Sequence, residues 1–309
     1  MIDIFLKTLP FFALIGLGYW AGYTRFFTAE ATAYLTKFVF YFALSAMIFR
    51  FTSNLELSDV WDTNLVLGYL AGTVAVYLIA TAVAVMRRQS MEVSAVEAQC
   101  AVIGNVGFLG IPMLTLLLGE AAIGPVVMTV SIDLIVFSGL IVILITLSRE
   151  GRLSLRTFRT VGLGLVRNPM IVSVIAGLTW AALELPIPAP MNDFLTILGA
   201  AATPGALFAI GASLAGKSAE RLQTALWLTF CKLGLHPVMV AVGVLWLFPV
   251  DRYTATVVIS AAALPVAGNV YILAQHYGVA PQRVSTAILV STIISIVTVS
   301  AVIAWFTAA

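Results

Sequence analysis

Apolar residues run along this chain in long stretches, and polar residues gather in short clusters between them. A helix needs about 20 apolar residues to cross the hydrocarbon layer of a membrane. Cutting the chain at charge clusters and at Pro/Gly punctuation predicts ten such helices, over 4–23, 31–50, 63–86, 94–118, 124–147, 166–184, 192–215, 222–248, 253–276 and 282–306. The joints between them are short and predict a compact bundle with no separate soluble domain. The longest polar link, SREGRLSLRTFRTVG from Ser148, follows the fifth stretch. The first stretch is too long for a signal-peptide core and no small-residue cleavage site follows it, so it reads as a retained helix.

Composition agrees. Apolar residues make up 61% of the chain and charged residues 10%, against about half and a quarter in soluble domains; this is the balance of an integral membrane protein. No basic face or aromatic-basic interleaving points to nucleic acid. Cys100 and Cys231 lie singly in apolar runs, too sparse for a disulfide framework and without metal-ligand spacing.

Loop Lys and Arg residues report orientation. With the N-terminus outside, the inward loops hold Arg25, Arg87, Arg88, Arg149, Arg152, Arg156, Arg159, Arg167, Lys217, Arg221 and Arg283, and the outward side holds Lys7, Arg50 and Arg252. Lys37 and Lys232 fall within helices. Both termini are therefore expected outside, with the Arg run at 149–159 an orientation signal and anionic lipid a secondary contact.

Five helices before the long link and five after it make two halves of opposite direction, because an odd number of crossings reverses the chain. The expected fold is all-α, a single membrane domain over 1–309 built from inverted repeats 1–147 and 166–309, a recurrent plan among secondary transporters. Two internal echoes support it. The fourth helix of the first half carries IGNVGFL at 103–109, and the fourth of the second carries AGNVYIL at 267–273. ALSAMIF at 43–49 likewise lies over ATPGALF at 202–208, with Ser45 opposite Pro204.

The Gly-Asn pairs call for a reason, since an amide gains nothing in an apolar helix and glycine weakens its interior. Around Gly104 and Asn105 the sequence adds Gly107, Gly110 and Pro112; before Gly268 and Asn269 it places Pro265. Such residues interrupt a helix, and broken backbone is tolerated at mid-membrane only where protein buries it or water reaches it. Two breaks crossing at mid-membrane aim half-helix N-termini and loosened carbonyls at one point. Asn105 and Asn269 then act either as substrate ligands or as braces for the backbone. The bland alternative is that these small residues serve helix packing alone.

Three ionisable residues lie within helices, where charge is costly and hints at function. Asp133 occupies VSIDLIVF, and Lys232 and His236 share one helix face in CKLGLHPVM. Lys232 supplies positive charge for an anion or forms a structural ion pair; Asp133 binds a cation or neutralises Lys232; His236 titrates or packs. Glu97 and Gln99 read as a helix start, and Gln275 and His276 as interfacial.

Taken together, GNVGFLGIP, KLGLHP and LPVAGNVYILA in their five-plus-five setting resemble the auxin efflux carrier family over essentially the whole chain. The resemblance implies a fold akin to bile acid/sodium symporters and sodium/proton antiporters. In that fold, a crossover part formed by helices 3–5 and 8–10 moves like an elevator against a scaffold of helices 1, 2, 6 and 7. It further implies an organic anion held at the crossover, matching Asn105, Pro112, Pro265 and Asn269 here, and a homodimer through scaffold helices. Two departures stand out. Ser45 occupies a place where the family usually has proline, and the link after the fifth helix is short, as in bacterial members, which points to a bacterial inner membrane.

The expected function is secondary active transport of a small mono- or dicarboxylate without a cofactor, coupled to H+ or Na+ or to neither. The alternative is a cation/proton antiporter on the same fold, with a channel or membrane receptor behind it. An enzyme is not expected: there is no Gly-x-Ser-x-Gly nucleophile stretch, HExxH pair or phosphate loop.

Overall fold

The computed structural model describes residues 2–55, 62–151, 155–215 and 222–308, and among these the secondary structure is helical apart from one antiparallel bridge, Gly104 with Val266. Arg152, Lys217 and Arg221 of the orientation count lie outside the described residues. In chain order the helices are α1 (Ile2–Tyr23), α2 (Ala29–Thr52), α3 (Thr63–Met86), α4 (Met91–Val102), α5 (Val106–Leu118), α6 (Glu120–Glu150) and α7 (Leu155–Val166). Next come α8 (Pro169–Ala182), α9 (Ala189–Leu214), α10 (Leu222–Leu247), α11 (Arg252–Ala262), α12 (Gly268–Tyr277) and α13 (Pro281–Ala308).

Local chemistry sets the boundaries. Thr28, Asp62, Ser90, Asn168 and Asp251 each accept a first-turn backbone N–H through a side-chain oxygen, which satisfies donors that the helix leaves orphaned. Gly151 and Gly278, both with φ of +68°, terminate α6 and α12.

Among the described residues seven helices are long and apolar enough to cross a membrane singly: α1, α2, α3, α6, α9, α10 and α13. The pair α7 and α8 passes that test jointly but bends by 65° between them, where Asn168-Pro169 ends one helix and starts the next. Here the structure differs from the expected polar link, which is helical from Leu155 onward. Phe158, Val161 and Leu165 recur every three to four residues between the arginines, an amphipathic spacing that the charge count hides. The remaining apolar stretches, 91–118 and 252–277, are each interrupted near their middle.

Helix backbones approach closely where glycines line the contact. A Cβ at Gly18 would lie 2.1 Å from the Phe208 carbonyl oxygen, and one at Gly211 would lie 1.9 Å from that of Ile15, so α1 and α9 touch backbone to backbone. Gly68 and Gly72 do the same for α3 against Gly243 and Val240 of α10. With no hydrophobic force between helices in lipid, such close packing is a main source of association.

Helix ends are tied in two groups. Glu97 is fully buried and holds Arg87 and Arg283, the latter at 2.6 Å with Gln89 also accepting from Arg283 at 2.8 Å. Arg149 bridges Glu92 and the Tyr277 carbonyl. These contacts gather the ends of α3, α6 and α12 with the starts of α4 and α13. Asn64 to Pro249 and Tyr253 to Leu118 gather the other ends. Glu97 is thus not the helix start that its position suggests: α4 begins at Met91, and the carboxylate is a buried ion-pair centre.

Candidate functional site

Ser260 through Ala263 close the last turn of α11, and Pro265, lacking an N–H, cannot prolong it. On the other segment α4 stops at Val102 and Ile103 turns extended, with φ −81° and ψ 109°. The two loosened strands pair with each other. Asn105 N–H donates to the Pro265 carbonyl at 2.8 Å, and Ala267 N–H donates to the Ile103 carbonyl at 3.0 Å. Val266 N–H reaches Ser291 Oγ of α13 at 3.1 Å. Backbone groups that a continuous helix would satisfy along its own length are satisfied here between helices, as buried groups require.

Asn105 then opens α5: its carbonyl accepts from both Leu109 and Gly110 at 3.0 Å, which makes the first turn π-helical. Ala267 opens α12. No side chain caps either N-terminus, so both first turns present free donors and partial positive charge. They face a cavity of about 60 Å³, lined by Gly104, Asn105, Gly107, Gly268 and Asn269 from the breaks, Asp133 from α6, Asn168 and Met170 at the α7–α8 bend, and Phe40 stacked on Phe108 at 5.9 Å. Gly268 has no atom within 4 Å of where a Cβ would be, so the cavity is open at that point.

Two of these lining residues each keep a buried side-chain oxygen without a protein partner: Oδ1 of Asn269 and Oδ2 of Asp133. The other carboxylate oxygen, Oδ1 of Asp133, accepts from the Tyr69 hydroxyl at 2.8 Å. Unpaired buried acceptors cost about 1–3 kcal/mol each, so beside a cavity both oxygens call for a partner that brings a proton or a positive charge.

Lys232 and His236 stand behind the cavity, not in its wall. Lys232 is fully buried, and its amine would sit 3.1 Å from a Cβ placed on Gly104. The glycine lets the backbone ribbon lie against the amine without displacing it. Lys232 Nζ donates to the Ala262 carbonyl, at the C-terminal end of α11 where cations are favoured, and stands 3.0 Å from His236 Nδ1. The His236 tautomer follows from its other neighbour. Thr73 Oγ1 uses its one proton on the Tyr69 carbonyl at 2.7 Å, so at its 3.1 Å contact with His236 Nε2 it accepts. Nε2 carries the hydrogen, and Nδ1 is left to accept from Lys232. Asp133 and Lys232 form no salt bridge; Tyr69 and His236 stand at their respective sides, ring to ring at 5.9 Å.

Of the residues singled out by sequence, Asn105, Asn269, Gly104, Gly268 and Asp133 come together in the cavity wall. Pro265 contributes its carbonyl to the paired backbone, and Pro112, in the first turn of the α-helical part of α5, lies outside the lining. Sequence reasoning passed over Asn168, Phe40, Tyr69 and Thr73. Asn168 carried a usable signal, Asn-Pro at a helix start; Tyr69 and Thr73 sit in an apolar run and carried none. Among the described residues no group of three or more His, Cys, Asp or Glu is placed to hold a metal ion.

A family model described as membrane transport protein, the auxin efflux carrier family, matches residues 3–303. A protein of Rhizobium meliloti (strain 1021) named "Putative malonate transporter" is 29% identical over 306 residues, covering 97% of this chain and 95% of that protein.

Proposed function

The chain belongs to the membrane transport protein family, and on that premise we propose that it is a secondary transporter of a small carboxylate anion such as malonate. The anion sits where the two broken segments meet, and helices α3–α6 with α10–α13 carry it past α1, α2, α8 and α9 in an elevator-type movement. One observation carries this reading: two antiparallel breaks bond to each other beside a cavity that receives two uncapped helix N-termini, with Lys232 behind the backbone. That is a field suited to an anion, and the name of the Rhizobium relative agrees with it.

Counting the pairs α4/α5, α7/α8 and α11/α12 as one crossing each makes ten. The inverted-repeat plan is supported by packing that its symmetry demands, since α1 lies against α9 as α2 lies against α8. The two groups of tied helix ends fit the same alternation of direction. The charge count supports both termini outside, and the family likeness supports a bacterial inner membrane and a homodimer through α1, α2, α8 and α9. Asn105 and Asn269 are the proposed anion ligands, Gly104, Gly268, Pro112 and Pro265 shape the breaks, and Lys232, held by neutral His236, sets the positive charge.

The test is uptake of labelled malonate into proteoliposomes. Saturable uptake that Asn105→Ala and Asn269→Ala each abolish supports the site, and full activity in both variants refutes it. A second reading has its own observation: Asp133 is the ionisable residue in the cavity wall, as a cation/proton antiporter requires. Sodium-driven proton flux in the absence of any carboxylate would select that reading.

A further inference from the structure

An anion carrier whose cavity wall holds a carboxylate faces a contradiction, and the geometry around Asp133 resolves it. The residue is 4% exposed. Its Oδ1 is occupied by Tyr69, whereas Oδ2 is buried and unpartnered, and Asp133 is among the residues that line the cavity. The helix widens locally at this residue: Asp133 starts a π turn, 133–137, an insertion that re-aims the side chain.

The charged neighbours are few. From α3 comes Tyr69, with Thr73 one turn on, and Tyr77 lies farther along against Phe137. From α10 come Lys232 and His236, and Lys232 is within Coulombic reach of Asp133 without bonding to it. No charged residue occurs in α5 or α8. Those of α2, α4 and α11 are held elsewhere: Glu30 is exposed in the first turn of α2, Lys37 is exposed over the Tyr34 ring, Arg50 meets Asn192, Glu92 is paired with Arg149, Glu97 is taken by Arg87 and Arg283, and Arg252 is exposed in the first turn of α11. A single fixed cation behind Gly104 therefore has to serve two anions, Asp133 and the incoming ligand.

We propose that Asp133 takes up a proton on Oδ2 when a carboxylate enters the cavity, so that each anion travels with one proton held by the protein. This deepens the anion-carrier reading and rests on it. With the cavity empty, Lys232 balances an ionised Asp133. An entering carboxylate takes over that positive field, and a proton arriving from the aqueous side onto Oδ2 removes the repulsion and turns the oxygen from acceptor into donor toward the anion. Release on the far side reverses both steps. By linkage, the anion and the proton raise each other's affinity by the same factor.

The experiment is calorimetric titration of the purified protein with malonate at pH 7.5, where a dicarboxylate is fully ionised, in two buffers of different ionisation enthalpy. About one proton should be absorbed per anion bound, with Kd rising by up to about tenfold per pH unit above that. Asp133→Asn, which keeps a donor on the cavity side, should absorb none, and its Kd should not change with pH. Binding to the wild type without proton uptake overturns the proposal, and so does an unchanged proton count in the Asn variant. Malonate binding that requires sodium and loses the requirement in Asp133→Asn also overturns it, in favour of a metal cation at the same oxygen. Failure of malonate and of every other carboxylate tried to bind the folded wild type, at either pH, overturns the anion-carrier reading and this proposal with it.

Discussion

Replacing Asn269 by alanine separates a ligand from a brace, because the two roles move stability and affinity in different directions. Oδ1 of Asn269 is buried and has no protein partner, so the folded protein bears its desolvation, about 1–3 kcal/mol, without return. Deleting the amide removes that cost together with little packing, since Asn269 is half-buried, and the thermal midpoint should stay level or rise. A bound carboxylate, by contrast, loses the hydrogen bond that the amide Nδ2, the donor end of the same side chain, would give to a charged group. Such bonds contribute about 1.5–3 kcal/mol, which corresponds to about a 10- to 150-fold increase in Kd. Calorimetry with malonate gives the second quantity, and thermal unfolding in detergent gives the first. A drop of several degrees in the midpoint with Kd unchanged would show that the amide braces the break, and the cavity would lose its clearest ligand.

Other perturbations test separate parts of the structure. Glu97→Gln should destabilise by about 3 kcal/mol, because Arg283, whose side chain is 13% exposed, keeps a buried charge without its carboxylate; thermal unfolding checks it, and a wild-type midpoint would deny the ion cluster any structural weight. Gly211→Ala places a methyl 1.9 Å from the Ile15 carbonyl and should cost about 1–3 kcal/mol, whereas Gly16→Ala, with open space around it, should be silent in the same assay. Gly104→Ala crowds Lys232 Nζ at 3.1 Å and its Cε at 3.2 Å. Displacement of that amine by a few tenths of an ångström should weaken malonate uptake while the protein still folds, so equal uptake by variant and wild type would count against a role for Lys232 in the cavity's field.

What the amino-acid order determined was punctuation. Composition places the chain in a membrane, caps and glycines mark helix ends, and Pro265 with the Gly-Asn pairs marks where two helices cannot continue, because each is a property of a residue and its immediate neighbours. Partnership was decided only in three dimensions. Glu97 looked like a helix-start residue until Arg87 and Arg283, 10 and 186 positions away, converged on it. Ser45, set against Pro204 in the sequence echo, donates to the Phe40 carbonyl inside a π turn, whereas helical bonding in α9 lapses at Ala201, before the proline. The π turns at 39–43, 106–110, 133–137 and 231–235 hold Phe40, Phe108, Asp133 and Lys232. Each inserts a residue that shifts the helical face, and a reading built on regular period has no means of placing it. The Gly-Asn pairs mark where the two breaks lie, but which further side chains share the cavity is set by long-range backbone pairing and by these local dislocations, and the dislocations leave no mark in the order of residues alone.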